Sequence, residues 1–358
     1  MGARPWRKCV SAAERTLRRP AELAAAGLIP GNEVAGLEPV TARYELALPP
    51  ALARLIDPAD PADPIARQFL PDRRELQREP GERTDPIGDN AHSPVEGIVH
   101  RYPDRVLLKL LATCPVYCRF CFRRETVGQG EGMLPRAALG QALAYIAARP
   151  EIWEVILTGG DPLALSPRRL EGVARRLATL PHVKILRVHT RVPVAAPERI
   201  DAALIAALKA SGKAMYVALH ANHPRELTAE AGAACARLIN AGIPMLSQTV
   251  LLRGVNDDVE TLASLMRAFV EARIKPYYLH HPDLAPGTAH FRLSVEEGQK
   301  LVGALLGRLS GLCQPTYVLD IPGGYGKTPV GPNRLRRGEG DRLEIVDWRG
   351  NTHSYPPG

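Results

Sequence analysis

The chain has 358 residues, 45% of them hydrophobic, and a formal net charge of +8. This composition suits one large α/β domain with additions, or two domains, and no run approaches the roughly eighteen apolar residues of a membrane span. Residues 1–20 carry +5 of that charge, with Arg4, Arg7, Lys8, Arg15, Arg18 and Arg19 against a single acid, Glu14; a basic segment without a recognisable module does not define a nucleic-acid binder.

The N-terminus lacks the apolar stretch of a signal peptide. Six cysteines in a chain this long do not make a disulfide framework, so a reducing cytoplasm is the expected compartment. Residues 1–95 read as helical pieces separated by proline loops. Ser11–Arg19, Ala21–Gly27 and Pro49–Ile56 favour helix. DPADPADPIARQFLP cannot be one regular element, and Asp85–Pro94 is a polar loop.

From Arg105 the pattern alternates. Strands are expected in RVLLKLLATC, EVILTGG, VKILRVHT, KAMYVALH, PMLSQTVLL and IKPYYLHH, with helices over Arg136–Arg149, from Ser166-Pro167, Pro197–Ser211, Pro224–Asn240, Asp257–Arg273 and Ser294–Ser310. Six β-then-α units argue for a parallel sheet, with a doubly wound arrangement as the alternative to a barrel. Polar residues end every strand, as barrel enzymes place their chemistry at one rim. The tail adds a strand, a glycine loop and, in LEIVDWRGNTHSY, a closing hairpin. The expected division is 1–95, 96–311 and 312–358.

Thr113–Arg124 reads TCPVYCRFCFRR and holds Cys114, Cys118 and Cys121 in the spacing C-x3-C-x2-C. Three thiolates on one loop can hold three irons of a 4Fe-4S cluster and leave the fourth iron open. A structural zinc site closes with four ligands, whereas Cys9, Cys235 and Cys313 are scattered singly.

TGGDP follows a strand and puts Gly159 and Gly160 where backbone can approach a ligand, beside the Asp161 carboxylate; an ordinary turn reads the same way. In HRYPDR, Arg101, Tyr102 and Arg105 precede the first strand of the alternating run, and two guanidiniums with a phenol suit a phosphate. Lys327 lies in DIPGGYGKTPV. The phosphate-loop pattern fails there, because Ile321 stands where glycine is required. A lysine on a glycine loop can instead reach a cofactor aldehyde.

The cysteine triplet resembles the radical S-adenosylmethionine (SAM) superfamily, and HRYPDRVLLKLLATCPVYCRFCFRRETVG resembles its lysine 2,3-aminomutase family, over about residues 48–333. The resemblance implies a partial (β/α)6 barrel with an N-terminal helical segment and a C-terminal strand and loop extension. It implies an isomerase converting L-lysine to β-lysine with a 4Fe-4S cluster, SAM and pyridoxal 5′-phosphate (PLP). Cys114, Cys118 and Cys121 are then the cluster ligands, and Gly159, Gly160, Asp161, His220 and Gln248 the SAM contacts. Arg101, Tyr102 and Arg105 hold the PLP phosphate, and Lys327 carries PLP. Arg123 pairs with the amino-acid carboxylate; Asp283 and Asp320 hold the side-chain ammonium, because a buried cation needs paired charges. Glutamate-acting relatives replace such acids, so lysine is the expected substrate. Supply of β-lysine for elongation factor P modification, or action on another amino acid such as glutamate, are the alternatives. The implied partners are a small-molecule amino acid, an electron donor of flavodoxin or ferredoxin type and a second copy in a homodimer. No Cys follows Cys313, so the zinc-binding C-terminal extension of clostridial-type members is not expected.

Overall fold

The computed structural model describes residues 15–128, 132–338 and 341–356. At its centre is a nine-stranded sheet whose spatial order follows chain order: β1 (Ile98–Tyr102), β2 (Arg105–Leu111), β3 (Glu154–Gly159), β4 (Ile185–Thr190), β5 (Ala214–His220), β6 (Met245–Val250), β7 (Ile274–His280), β8 (Thr316–Ile321) and β9 (Gly326–Pro329). From β2 to β8 every neighbour is parallel, whereas β1–β2 and β8–β9 are antiparallel edges. Parallel neighbours need crossovers. Helices Arg136–Ala147, Pro167–Ala178, Ala202–Lys209, Ala229–Asn240, Val259–Glu271 and Val295–Leu305 supply them.

The expected partial barrel is therefore present, and β8 lengthens its parallel run beyond the six expected strands. Each helix turns an apolar stripe to the strands. In Pro167–Ala178, Leu170, Val173, Ala174 and Leu177 are buried while Arg168, Arg169, Arg175 and Arg176 are exposed. One apolar core fills the space between strands and helices.

Residues 17–69 form a second core, with Leu23, Leu46, Leu48, Leu52, Ile65 and Phe69 packed against Val116 of the cysteine loop. Truncating a leucine as buried as Leu48 costs about 2–5 kcal/mol. The same segment pins that loop by backbone hydrogen bonds. Tyr117 N–H donates to the Ala47 carbonyl at 3.1 Å, and Arg119 N–H to the Gln68 carbonyl at 2.8 Å.

Several local expectations differ from the fold. Arg101 and Tyr102 precede the first strand of the alternating run, but they themselves lie in an added strand, β1, and Arg105 opens β2 instead of preceding it, because Pro103-Asp104 turns the chain back and pairs Tyr102 with Arg105. Leu17 exchanges backbone hydrogen bonds with Leu48 instead of continuing a helix, and the start of Ser11–Arg19 lies outside the described residues. A helix over Val34–Arg43, interrupted in sequence by Pro39, was not anticipated. Pro197–Ser211 and Pro224–Asn240 each begin with a separate short 3-10 turn at their proline. Ser166 stands at the N-cap of its helix but makes no side-chain capping bond. Lys327 is not on a flexible loop but in β9, directly opposite Asp320 of β8.

The closing hairpin is β11 (Leu343–Val346) with β12 (Thr352–Tyr355), joined by β10 (Leu335–Arg337) in a separate antiparallel sheet. Among the described residues no helix is long and apolar enough to cross a membrane.

Candidate active site

All the site residues expected from the sequence line one cavity of about 340 Å³ inside the arc of strands. The cysteine side is built on the loop leaving β2. Cys114, Cys118 and Cys121 are free thiols, half-buried because the cavity reaches them while protein surrounds them on the other sides. Burial pushes the Cys118 thiol up to about 12, and burial followed by the charge of Asp161 pushes Cys114 up as well. Such thiols stay neutral until a metal displaces the proton.

Cys235 and Cys313 sit in the strand–helix core, so no fourth thiol among the described residues reaches the cavity. Among those residues no three His, Cys, Asp or Glu converge on a single metal ion. A cubane makes a different demand, since each thiolate binds its own iron. The donor set therefore fits a three-cysteine cluster.

The loop is held from behind by Glu75, which is fully buried. It accepts from Arg119 Nε at 3.0 Å and Nη2 at 2.6 Å, and also from Arg124. A second buried pair, Arg191 with Glu226, stands beside the thiols; Glu226 also accepts from the Asn222 and His223 amides at 2.8 and 3.0 Å.

At the end of β3, Gly160 N–H donates to the Leu111 carbonyl at 2.5 Å. A Cβ on Gly160 would lie 2.1 Å from the Thr113 carbonyl, and Gly159 has φ +112°. Only glycine lets β3 press against the cysteine loop here. Asp161 differs from its expected role. Its carboxylate is spent inside the protein, accepting from Thr190 Oγ1 at 2.8 Å, Arg191 N–H at 2.7 Å and Leu163 N–H at 3.0 Å. It ties the ends of β3 and β4 together and is not free to receive a ligand amine. His220 and Gln248 face the cavity from β5 and β6. Burial first, then the Arg191 charge, pull His220 down to about 3, so its imidazole is neutral.

Across the cavity the two open edges of the sheet meet through side chains. Lys327 N–H of β9 donates to Tyr102 Oη of β1 at 2.7 Å. Lys327 Nζ lies 2.8 Å from Asp320, and Arg101 reaches the same carboxylate at 3.5 Å. The Nε–H of Arg101 is buried without a hydrogen-bond partner among the described residues, which suits a site for an anion. The Arg105 guanidinium stacks 3.8 Å over the Tyr102 ring. These three side chains fit a phosphate.

Asp283 lines the cavity with no hydrogen bond or ion pair among the described residues. Burial, followed by the charge of Asp320, holds its carboxyl up at about 7. Asp283 and Asp320 together fit a cation. Arg123, expected at a carboxylate, points into the same space but spends its Nε–Nη2 edge on Asp89, at 3.2 and 2.8 Å.

Sequence reasoning missed Asp89, Glu75 and His280 as parts of the site. His280 lies 3.9 Å from Asp320, and its Nε2 is buried without a hydrogen-bond partner among the described residues. Asp89 lies in polar loop text with no motif; Glu75 could be read as the acid of an Asp72-x-x-Glu75 capping box, but only tertiary contact shows that it holds the cysteine loop.

The strand order, the three-cysteine loop and the glycine turn beside it define a radical SAM enzyme, and the radical SAM superfamily model matches residues 108–266. The chain is 40% identical over 327 residues to the L-lysine 2,3-aminomutase of Clostridium subterminale, covering 91% of this chain and 78% of that protein. It is 39% identical to the enzyme of that name from Acetoanaerobium sticklandii, with 90% and 78% covered. The glutamate 2,3-aminomutase of Clostridioides difficile is 37% identical, with 88% and 74% covered. The chain belongs to the lysine 2,3-aminomutase family, and is an isomerase of the aminomutase kind.

Proposed function

We propose that the chain converts L-lysine to β-lysine with a 4Fe-4S cluster, SAM and PLP held in the one cavity. The observation that carries this reading is the carboxylate pair, Asp283 and Asp320, placed in the same cavity as Lys327 and the three thiols. Bound there, the cofactors would supply the radical hydrogen transfer and amino migration that side chains cannot perform.

The protein's part is binding, orientation and exclusion of water. Cys114, Cys118 and Cys121 would hold three irons, leaving one for SAM. Gly159 and Gly160 would offer SAM their backbone, with neutral His220 and Gln248 as further contacts; Asp161 shapes that turn. Arg101, Tyr102 and Arg105 would hold the PLP phosphate, and Lys327 would carry PLP covalently. Lys327 then ceases to be the cation on Asp320, which leaves Asp320 and the unpartnered Asp283 for the ammonium of the lysine side chain. Arg123 takes the amino-acid carboxylate with its free end.

A second carboxylate in place of that ammonium would face two acids without compensation. This favours lysine over the glutamate named for the Clostridioides relative. In this proposal residues 96–311 are the body of the barrel, and the 312–358 segment completes its sheet with β8 and β9 and brings Asp320 and Lys327 into the cavity. A reducing cytoplasm, a flavodoxin- or ferredoxin-type donor and a homodimer complete it; five free cysteines among the described residues favour the first.

The test is anaerobic reconstitution with iron, sulfide, PLP and SAM, followed by reduction in the presence of lysine, glutamate or arginine. β-Lysine is the expected product, and Asp320→Ala is expected to lower its formation at least 100-fold. Full lysine turnover by Asp320→Ala would remove the substrate assignment.

A further inference from the structure

The 85–93 turn carries a carboxylate that touches both arginines facing the cavity. Asp89 Oδ2 accepts from Arg123 Nη2 at 2.8 Å, and Oδ1 accepts from Arg101 Nη2 at 3.0 Å. All three side chains are largely buried, at 10%, 14% and 9% exposure. The contact takes the Nε–Nη2 edge of Arg123; Arg101 Nη2 shares itself between Asp89 and the Ile87 carbonyl, at 2.7 Å, while its Nη1 lies 3.5 Å from Asp320. Arg123 Nη1 makes only a long contact to Thr158 Oγ1, at 3.5 Å. Among the described residues the buried Arg101 Nε–H has no hydrogen-bond partner.

The turn itself is fixed. Asp85 accepts from the Asp89 and Asn90 amides, both at 2.8 Å. Gly88, at φ +70°, is pressed so closely on the lysine-bearing segment that a Cβ would lie 2.3 Å from Gly324 N. Charges therefore alternate across the cavity: Arg123, Asp89, Arg101, Asp320, Lys327.

We propose that Asp89 is a positioning residue shared by the two anion sites. It aims the free end of Arg123 at the amino-acid carboxylate and fixes Arg101 for the PLP phosphate, a role that rests on the aminomutase reading. Two guanidiniums brought to one cavity repel each other, and a carboxylate between them cancels that repulsion while holding their planes. Without it, Arg101 would turn further toward Asp320, already 3.5 Å away, and Arg123 toward Asp283, whose carboxyl feels its charge, and both anion sites would lose their geometry. A residue serving one site alone would move one affinity; Asp89 must move both.

The experiment uses the full chain with its iron–sulfur cluster reconstituted. PLP affinity is measured by equilibrium titration of absorbance, and lysine KM and kcat are measured separately. Asp89→Asn is expected to weaken PLP binding and raise the lysine KM, each about tenfold, with a smaller change in kcat and unchanged iron content. Should Asp89→Asn not fold, Asp89→Glu carries the test, because its longer arm must shift both affinities in the same direction. Affinities that do not move, or a change in only one, overturn the proposal. Wild-type protein that binds no PLP would instead refute the aminomutase reading.

Discussion

On the cysteine side of the cavity, the three candidate iron ligands come from eight consecutive residues, 114–121. On the lysine side, Asp89, Arg101, Asp283, Asp320 and Lys327 come from separate segments spread over residues 89–327. The first side needs one loop held in one shape, and Glu75, Arg119 and Arg124 hold it from behind. The second exists only when both edges of the sheet meet, which they do through Tyr102 with Lys327 and Arg101 with Asp320. A contiguous site is thus a matter of loop support, whereas a dispersed one is a matter of closure. The two sides should fail separately.

The largest expected effect separates them outright. Cys118→Ala should abolish turnover by at least 1,000-fold and lower the iron content while PLP binding persists. Lys327→Ala should abolish turnover to the same degree, with iron retained and covalent PLP lost. Iron assay and PLP absorbance on both variants check this, and loss of both cofactors from either variant would break the comparison.

Glu75→Ala probes loop support alone. It leaves two buried guanidiniums without their carboxylate, a change that costs about 3–5 kcal/mol. Urea unfolding should show that loss, with cluster retention falling before PLP affinity does.

The smallest effect is a pH dependence on the lysine side. The folded-state pKa of Asp283 is raised to about 7, above that of an unfolded aspartate, so its favourable contribution is complete below the unfolded value and is lost as pH rises through 7. Cofactor-free Asp283→Asn should therefore gain on the wild type between pH 5 and pH 8, by about 2–3 kcal/mol at most. Urea midpoints at the two pH values measure it, and a constant gap would show that the carboxyl is not held up by burial.

How much could be read from the chain follows the same division. The strand and helix runs between 105 and 310 were legible because side chains buried on both faces of a parallel strand leave long apolar text. The β1 hairpin was harder to see: Pro103-Asp104 is a turn signal, but the polar His100-Arg101-Tyr102 that ends the short β1 does not read as a strand. Asp161 was legible as part of a motif but not in its use, because Thr190 and the Arg191 amide claim its oxygens only after β4 lies beside β3.

By itself the sequence determined the three-cysteine loop, the glycine turn after β3 and the βα repeat, since each depends on residue type and short spacing. Only the tertiary structure decided that Lys327 shares a cavity with the thiols, that Asp283 has no hydrogen-bond or ion-pair partner among the described residues, and that Asp89 lies between two arginines. Those facts arise from contacts between distant segments, and local spacing carries no record of which charges will meet once the sheet has curled.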